Sequence, residues 1–62
     1  MSPLHLADLA DAIGRPHGVT CKYEYESGRF AWNLYRFGRR VKSLVTKKNI
    51  ISSVEKLVDI DK

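Results

Sequence analysis

Cysteine occurs once in this chain, as Cys21. A lone thiol cannot close an internal disulfide, so no covalent staple supports the fold, and a reducing, intracellular setting is expected. Histidine is nearly as scarce. His5 and His17, taken with Cys21, show none of the spacings that hold a metal, so neither a metal nor another cofactor is expected. No apolar run approaches the roughly 20 residues of a membrane span. The apolar stretch near the N-terminus is interrupted by Asp8 and Asp11, unlike a signal peptide. These absences point to a soluble chain, cytoplasmic or nucleoid-associated, with no membrane partner.

What is present suits one small folded domain over residues 1–62. With 44% apolar residues and aromatics among them, the chain is not of the disordered or repetitive class. A domain of this size buries only about 60% of the surface its unfolded chain exposes. A deep cleft between two lobes is therefore excluded. No Ser, Cys or carboxylate is spaced to complete a nucleophilic set with His17, and an enzyme is not expected.

The formal net charge of +4 is unevenly distributed. From Lys22 to Lys48, the cations Lys22, Arg29, Arg36, Arg39, Arg40, Lys42, Lys47 and Lys48 are opposed only by Glu24 and Glu26. The two ends of the chain are mildly acidic. A basic middle of this kind suggests an anionic partner.

Periodicity predicts the elements. Ser2 is a suitable N-cap and Pro3 suits the first helical position. Leu6, Leu9, Ala10 and Ile13 recur as one helical stripe, which Gly14 and Pro16 should end. From Val19 the period becomes two: Val19, Cys21, Tyr23 and Tyr25 alternate with Thr20, Lys22, Glu24 and Glu26. Ser27-Gly28 and Phe37-Gly38 read as tight hairpin turns. They would place Tyr25, Tyr23 and Cys21 opposite Phe30, Trp32 and Leu34, and the last three opposite Val45, Ser43 and Val41, all on one buried face. Thr46 is a candidate N-cap for a final helix whose stripe is Ile50, Val54, Leu57 and Val58 with Ile51 beside it. The predicted class is α+β: helix–strand–strand–strand–helix, a three-stranded antiparallel sheet with the helices packed on one face.

The uncovered face of that sheet would carry Lys22, Arg29, Asn33, Tyr35, Arg40 and Lys42, with Asn33 opposite Lys42. Lysine and arginine neutralise phosphates, and arginine and asparagine also pair with base edges. Lys47 and Lys48, in the first turn of a helix, would oppose its dipole unless an anion sat there. Arg39, beside the second turn, joins this set. Cys21 on the core face is expected to behave as a small hydrophobe, and His5 to be exposed.

The segments Gly18-Val19, Gly28-Arg29-Phe30-Ala31-Trp32 and Gly38-Arg39-Arg40-Val41, with Thr46 opening a helix, resemble the three-stranded-sheet DNA-binding domains of ethylene-response factors and the arm-binding domains of phage integrases. The resemblance implies a sheet face set in the major groove, with Arg29, Asn33, Tyr35, Arg40 and Lys42 as reading residues. This chain departs from it in its N-terminal helix and in the acidic pair of the first strand. The order of elements and Thr46-Lys47-Lys48 also resemble double-stranded-RNA-binding domains, although the third lysine of that motif and the long loop between the first two strands are missing. The expected function is that of a small accessory or regulatory protein, of phage or mobile-element type, that binds duplex DNA, with duplex RNA next. A protein-binding inhibitor or adaptor is the alternative.

Overall fold

The computed structural model describes residues 2–60. The chain forms α1 (Pro3–Gly14), one turn of 3-10 helix (Arg15–His17), β1 (Val19–Glu26), β2 (Arg29–Arg36), β3 (Arg39–Leu44) and α2 (Ile50–Ile60). The strands make one antiparallel sheet in the order β1-β2-β3. The expected α+β class and element order are the observed ones.

The core lies between one sheet face and the helices. Leu6, Ala7 and Ala10 of α1, Val19, Cys21, Trp32 and Leu34 of the sheet, and Ile50 and Val54 of α2 form a single buried cluster. Each helix reaches it in its own way. Ser2 caps α1 as expected, its hydroxyl accepting from the His5 N–H at 3.1 Å. The buried stripe of α1, however, is Leu6, Ala7, Ala10 and Gly14, while Leu9 and Ile13 are exposed. Small residues let the helix backbone settle directly on β1. A Cβ at Gly14 would stand 2.6 Å from the Val19 carbonyl oxygen. Gly14 is thus a close-approach residue as well as the last residue of α1, as expected. The 3-10 turn that follows is ended by Gly18, in the left-handed region at φ 78°.

The β1–β2 register is the expected one throughout, from Val19 opposite Arg36 to Glu26 opposite Arg29. Partway along β2 and β3 it departs from expectation. Tyr35 pairs with Arg40, but Leu34 pairs with Lys42, Asn33 with Ser43 and Trp32 with Leu44. Val41 is the extra residue of a β-bulge. The core supplies the reason. Without the bulge, Ser43 would face the helices opposite Trp32. With it, Leu44 takes that position and packs against the core. Val41 and Val45 are correspondingly exposed.

Two further expectations are corrected. Tyr25 and Phe30 share the face of Trp32, yet both are exposed, because the β1–β2 hairpin extends past the helix layer. There Phe30 stacks on Tyr23 with centroids 5.1 Å apart and meets Tyr25 edge-on at 4.9 Å. Thr46 does not cap α2, which begins at Ile50; residues 45–49 form a bend and turn. The backbone carbonyl of Asn49 accepts from the Ser53 N–H at 3.0 Å and from the Ser52 hydroxyl at 3.2 Å. No helix among the described residues is long and apolar enough to cross a membrane.

Candidate nucleic-acid interface

Strand pairing places Lys22, Glu24, Glu26, Arg29, Ala31, Asn33, Tyr35, Arg40 and Ser43 on the face away from the helices. Its centre is already engaged. The Glu24 carboxylate accepts from Asn33 Nδ2 at 2.9 Å and from the Tyr35 hydroxyl at 2.5 Å. Those bonds, Asn33 first, hold Glu24 below the usual carboxylate range and push the Tyr35 phenol up. Glu24 is therefore shifted by the two side chains that donate to it. Arg40 reaches from β3 across β2 to Glu26 of β1, its Nη1 lying 3.0 Å from Oε2 and 3.1 Å from Oε1. Lys22 lies over the Tyr35 ring, 5.3 Å from its centroid.

Two glutamates thus counter Lys22, Arg29 and Arg40 on the face expected to read nucleic acid. The bulge also removes one expected member. Lys42 stands opposite Leu34, whose side chain is in the core, so it belongs to the helix-side face at the β3 edge, and Ser43 replaces it beside Asn33. Asn33 is 1% exposed, and its Oδ1 has no hydrogen-bond partner among the described residues. Together with Arg29, Arg40 and Ser43 it lines a cleft of about 90 Å³.

The remaining cations gather elsewhere. No carboxylate occurs in the sequence between Glu26 and Glu55. That stretch contains the β2–β3 hairpin, β3 and the turn into α2, along which Arg36, Arg39, Lys42, Lys47 and Lys48 follow one another. Of these, Arg39, Lys42, Lys47 and Lys48 are exposed. Lys47 and Lys48 lie in the turn before α2 and not in its first helical turn, as was expected. Arg36 lies 5.8 Å from the centroid of the Phe37 ring. A strip of basic residues, with no carboxylate within its own stretch of sequence, runs along the outer edge of the sheet. The corrected register was the missing signal: read without the bulge, Lys42 falls on the opposite face.

The two sheet edges differ. At the β1 edge the Cys21 N–H donates to Asp11 Oδ1 of α1 at 3.2 Å, and Asp11 also pairs with Arg15. No strand lies beyond β3 among the described residues. Cys21 itself is buried, and desolvation, helped by the Asp11 charge, pushes its thiol up to about 11. It stays protonated at neutral pH and is no nucleophile there. Comparison with protein-family models, with characterised proteins and with solved structures finds no match for this chain.

Proposed function

We propose that the chain binds duplex nucleic acid through its phosphates, with duplex DNA ahead of duplex RNA. It would act as an accessory or regulatory module without catalytic activity, in the cytoplasm or on the nucleoid. The observation that carries this reading is the succession of Arg36, Arg39, Lys42, Lys47 and Lys48 along the β2–β3 hairpin, the β3 edge and the turn into α2, with Arg39, Lys42, Lys47 and Lys48 exposed. Cations arranged along a line track a backbone of regularly spaced phosphates and release its condensed counterions. The β2–β3 hairpin is a two-stranded ribbon, a shape the major groove of B-form DNA admits. The major groove of A-form RNA is too narrow for side chains to read, which sets RNA second. The lysine pair ahead of α2 supports the RNA reading.

Fluorescence anisotropy at two salt concentrations, with duplex DNA, duplex RNA and single strands, tests this. Affinity should fall steeply with salt. Arg39→Ala and Lys42→Ala should each reduce the salt slope by about one unit, and Lys47→Ala with Lys48→Ala by about two, in each case through lost phosphate contacts. Lys56, in α2 and away from the strip, is the control and should be silent. Equal losses from Lys56→Ala would mean diffuse attraction only, and absence of binding would remove the reading. The unpaired β3 edge favours a second reading, in which a partner protein adds a strand there. Binding of that kind would rest on main-chain hydrogen bonds and change little with salt.

A further inference from the structure

We propose that the β2–β3 hairpin tip is a seat for one unstacked nucleobase, with Phe37 as the stacking platform and the neighbouring arginines on the flanking phosphates. The inference rests on the nucleic-acid reading above and gives one residue a role other than neutralising charge. Phe37 and Gly38 form the turn, at φ 51° and φ 81°. A two-residue turn with both φ values positive favours Asn-Gly or Asp-Gly, and a bulky aromatic at positive φ is an outlier. The other hairpin follows the rule more closely, with the small polar Ser27 at φ 57°.

The core does not account for this aromatic. Phe37 is 74% exposed, the most exposed large apolar side chain among the described residues. Yet it is firmly placed. Its N–H donates to the Gly18 carbonyl at 2.8 Å, and its ring lies so close to Gly18 that a Cβ there would stand 2.3 Å from ring Cε1. The hairpin tip is thereby braced on the corner between the 3-10 turn and β1, with most of the ring turned outward. A strained backbone that holds an exposed aromatic in one place is the kind of outlier from which function is inferred.

The surroundings select the occupant. An open cavity of about 390 Å³ is lined by Arg36, Phe37, Arg39 and Val41. The bulge supplies Val41 to it, so the irregularity that brings Leu44 into the core also completes this wall. Apolar surface is offered by Phe37 and Val41, and positive charge by two arginines, with no carboxylate in the lining. A planar, apolar-faced group carried on an anionic chain meets both demands, and a base between two phosphates is such a group. Stacking on an aromatic side chain combined with a cationic track is the general mode by which unpaired bases are held.

The test uses oligonucleotides carrying 2-aminopurine, whose fluorescence reports stacking, as a single strand, as a duplex with the probe opposite an abasic site, and as a fully paired duplex. Wild type and Phe37→Tyr should alter the probe signal on binding. Phe37→Asn should not, and should weaken binding to the single strand and the abasic duplex by about 10-fold or more. Its salt slope should be unchanged, because the ring displaces no counterion. Asn-Gly suits the turn, so this variant should fold. Phe37→Leu, which keeps apolar bulk over Gly18 without a ring face, should show the same loss. Whether the single strand or the abasic duplex responds more tells which source supplies the base. Wild-type binding that neither Phe37→Asn nor Phe37→Leu changes overturns the seat and leaves the phosphate reading in place. Failure of wild type to bind any of the three overturns both.

Discussion

Trp32 shows how much a single residue can hold in a domain this small. Its ring lies 4.6 Å from that of Tyr23, and its indole N–H donates to the Pro3 carbonyl at 3.1 Å, tying the centre of the sheet to the start of α1. Truncating a buried aromatic costs about 3–5 kcal/mol. At roughly 0.05–0.15 kcal/mol per residue, that is a large share of the total stability. Trp32→Ala should therefore be unfolded or nearly so by circular dichroism, while Trp32→Phe, which mainly loses the hydrogen bond, should stay folded at a lower melting temperature. Cys21 gives a pH signature. Its thiol is pushed from an ordinary value of 9.0 up to about 11, first by burial and then by the Asp11 charge. The unfolded thiol ionises first, so the contribution of the buried neutral form is whole below pH 9 and is lost as pH rises toward 11. Urea melts across that range should show the decline, and Cys21→Ala should make it shallower.

At the level of the element, β2 carries two systems on opposite faces. One face is apolar and buried; the other is a hydrogen-bonded array in which Glu24 of β1 gathers Asn33 and Tyr35. These bonds hold Glu24 below its ordinary value, so the array stabilises the fold above the usual carboxylate range. That contribution is lost as pH falls through the lowered value. Glu24→Gln should flatten the acid limb of a stability–pH curve measured by thermal melting, because the contribution present at neutral pH in wild type is removed and the melting temperature there falls. An acid limb as steep as that of wild type would mean that the array contributes nothing. The bulge in β3 shows the limit of reading strands by alternation. Both hairpin turns and the pairs next to them follow from Ser27-Gly28 and Phe37-Gly38, but one inserted residue at Val41 reverses the facing of everything after it. Alternation does not say where such a residue falls. The competition between Ser43 and Leu44 for the place opposite Trp32 does, and that competition exists only once the helices cover the face.

Across the whole molecule, charge is sorted more sharply than the linear sequence suggests. Glu24 and Glu26 are set among the cations of the open sheet face, whereas the segments of the hairpin tip, the β3 edge and the turn into α2 contain cations and no carboxylate of their own. Arg40 stands between the two regions, held by Glu26. Removing that carboxylate should release Arg40 to the basic strip. Glu26→Gln should tighten binding to duplex DNA several-fold at low salt and raise the salt slope by about one unit, read by anisotropy. An unchanged slope would confine the contact to the outer edge of the sheet. The fold class and the element order were legible in the sequence, because helical and alternating periods are local. The interface was legible only as a composition: Arg39, Lys47 and Lys48 could be named as basic, but the face that Lys42 joins could not.

By itself the sequence determined two helices, three strands, the β1–β2 register and the concentration of positive charge between Lys22 and Lys48. Each of these follows from interactions within a turn or two of chain, or from a two-residue loop that fixes its own register. Only the tertiary structure decided which side of α1 is buried, since the close approach permitted by Ala7, Ala10 and Gly14 outweighs the larger Leu9 and Ile13. It also decided that the helix layer stops short of Tyr25 and Phe30, and that Glu24 is bound by Asn33 and Tyr35 and Glu26 by Arg40. Placement of Phe37 belongs to it as well. The ring's seat is the backbone of Gly18, far from it in sequence, and contacts of that separation are set by how the whole chain packs and not by any local pattern.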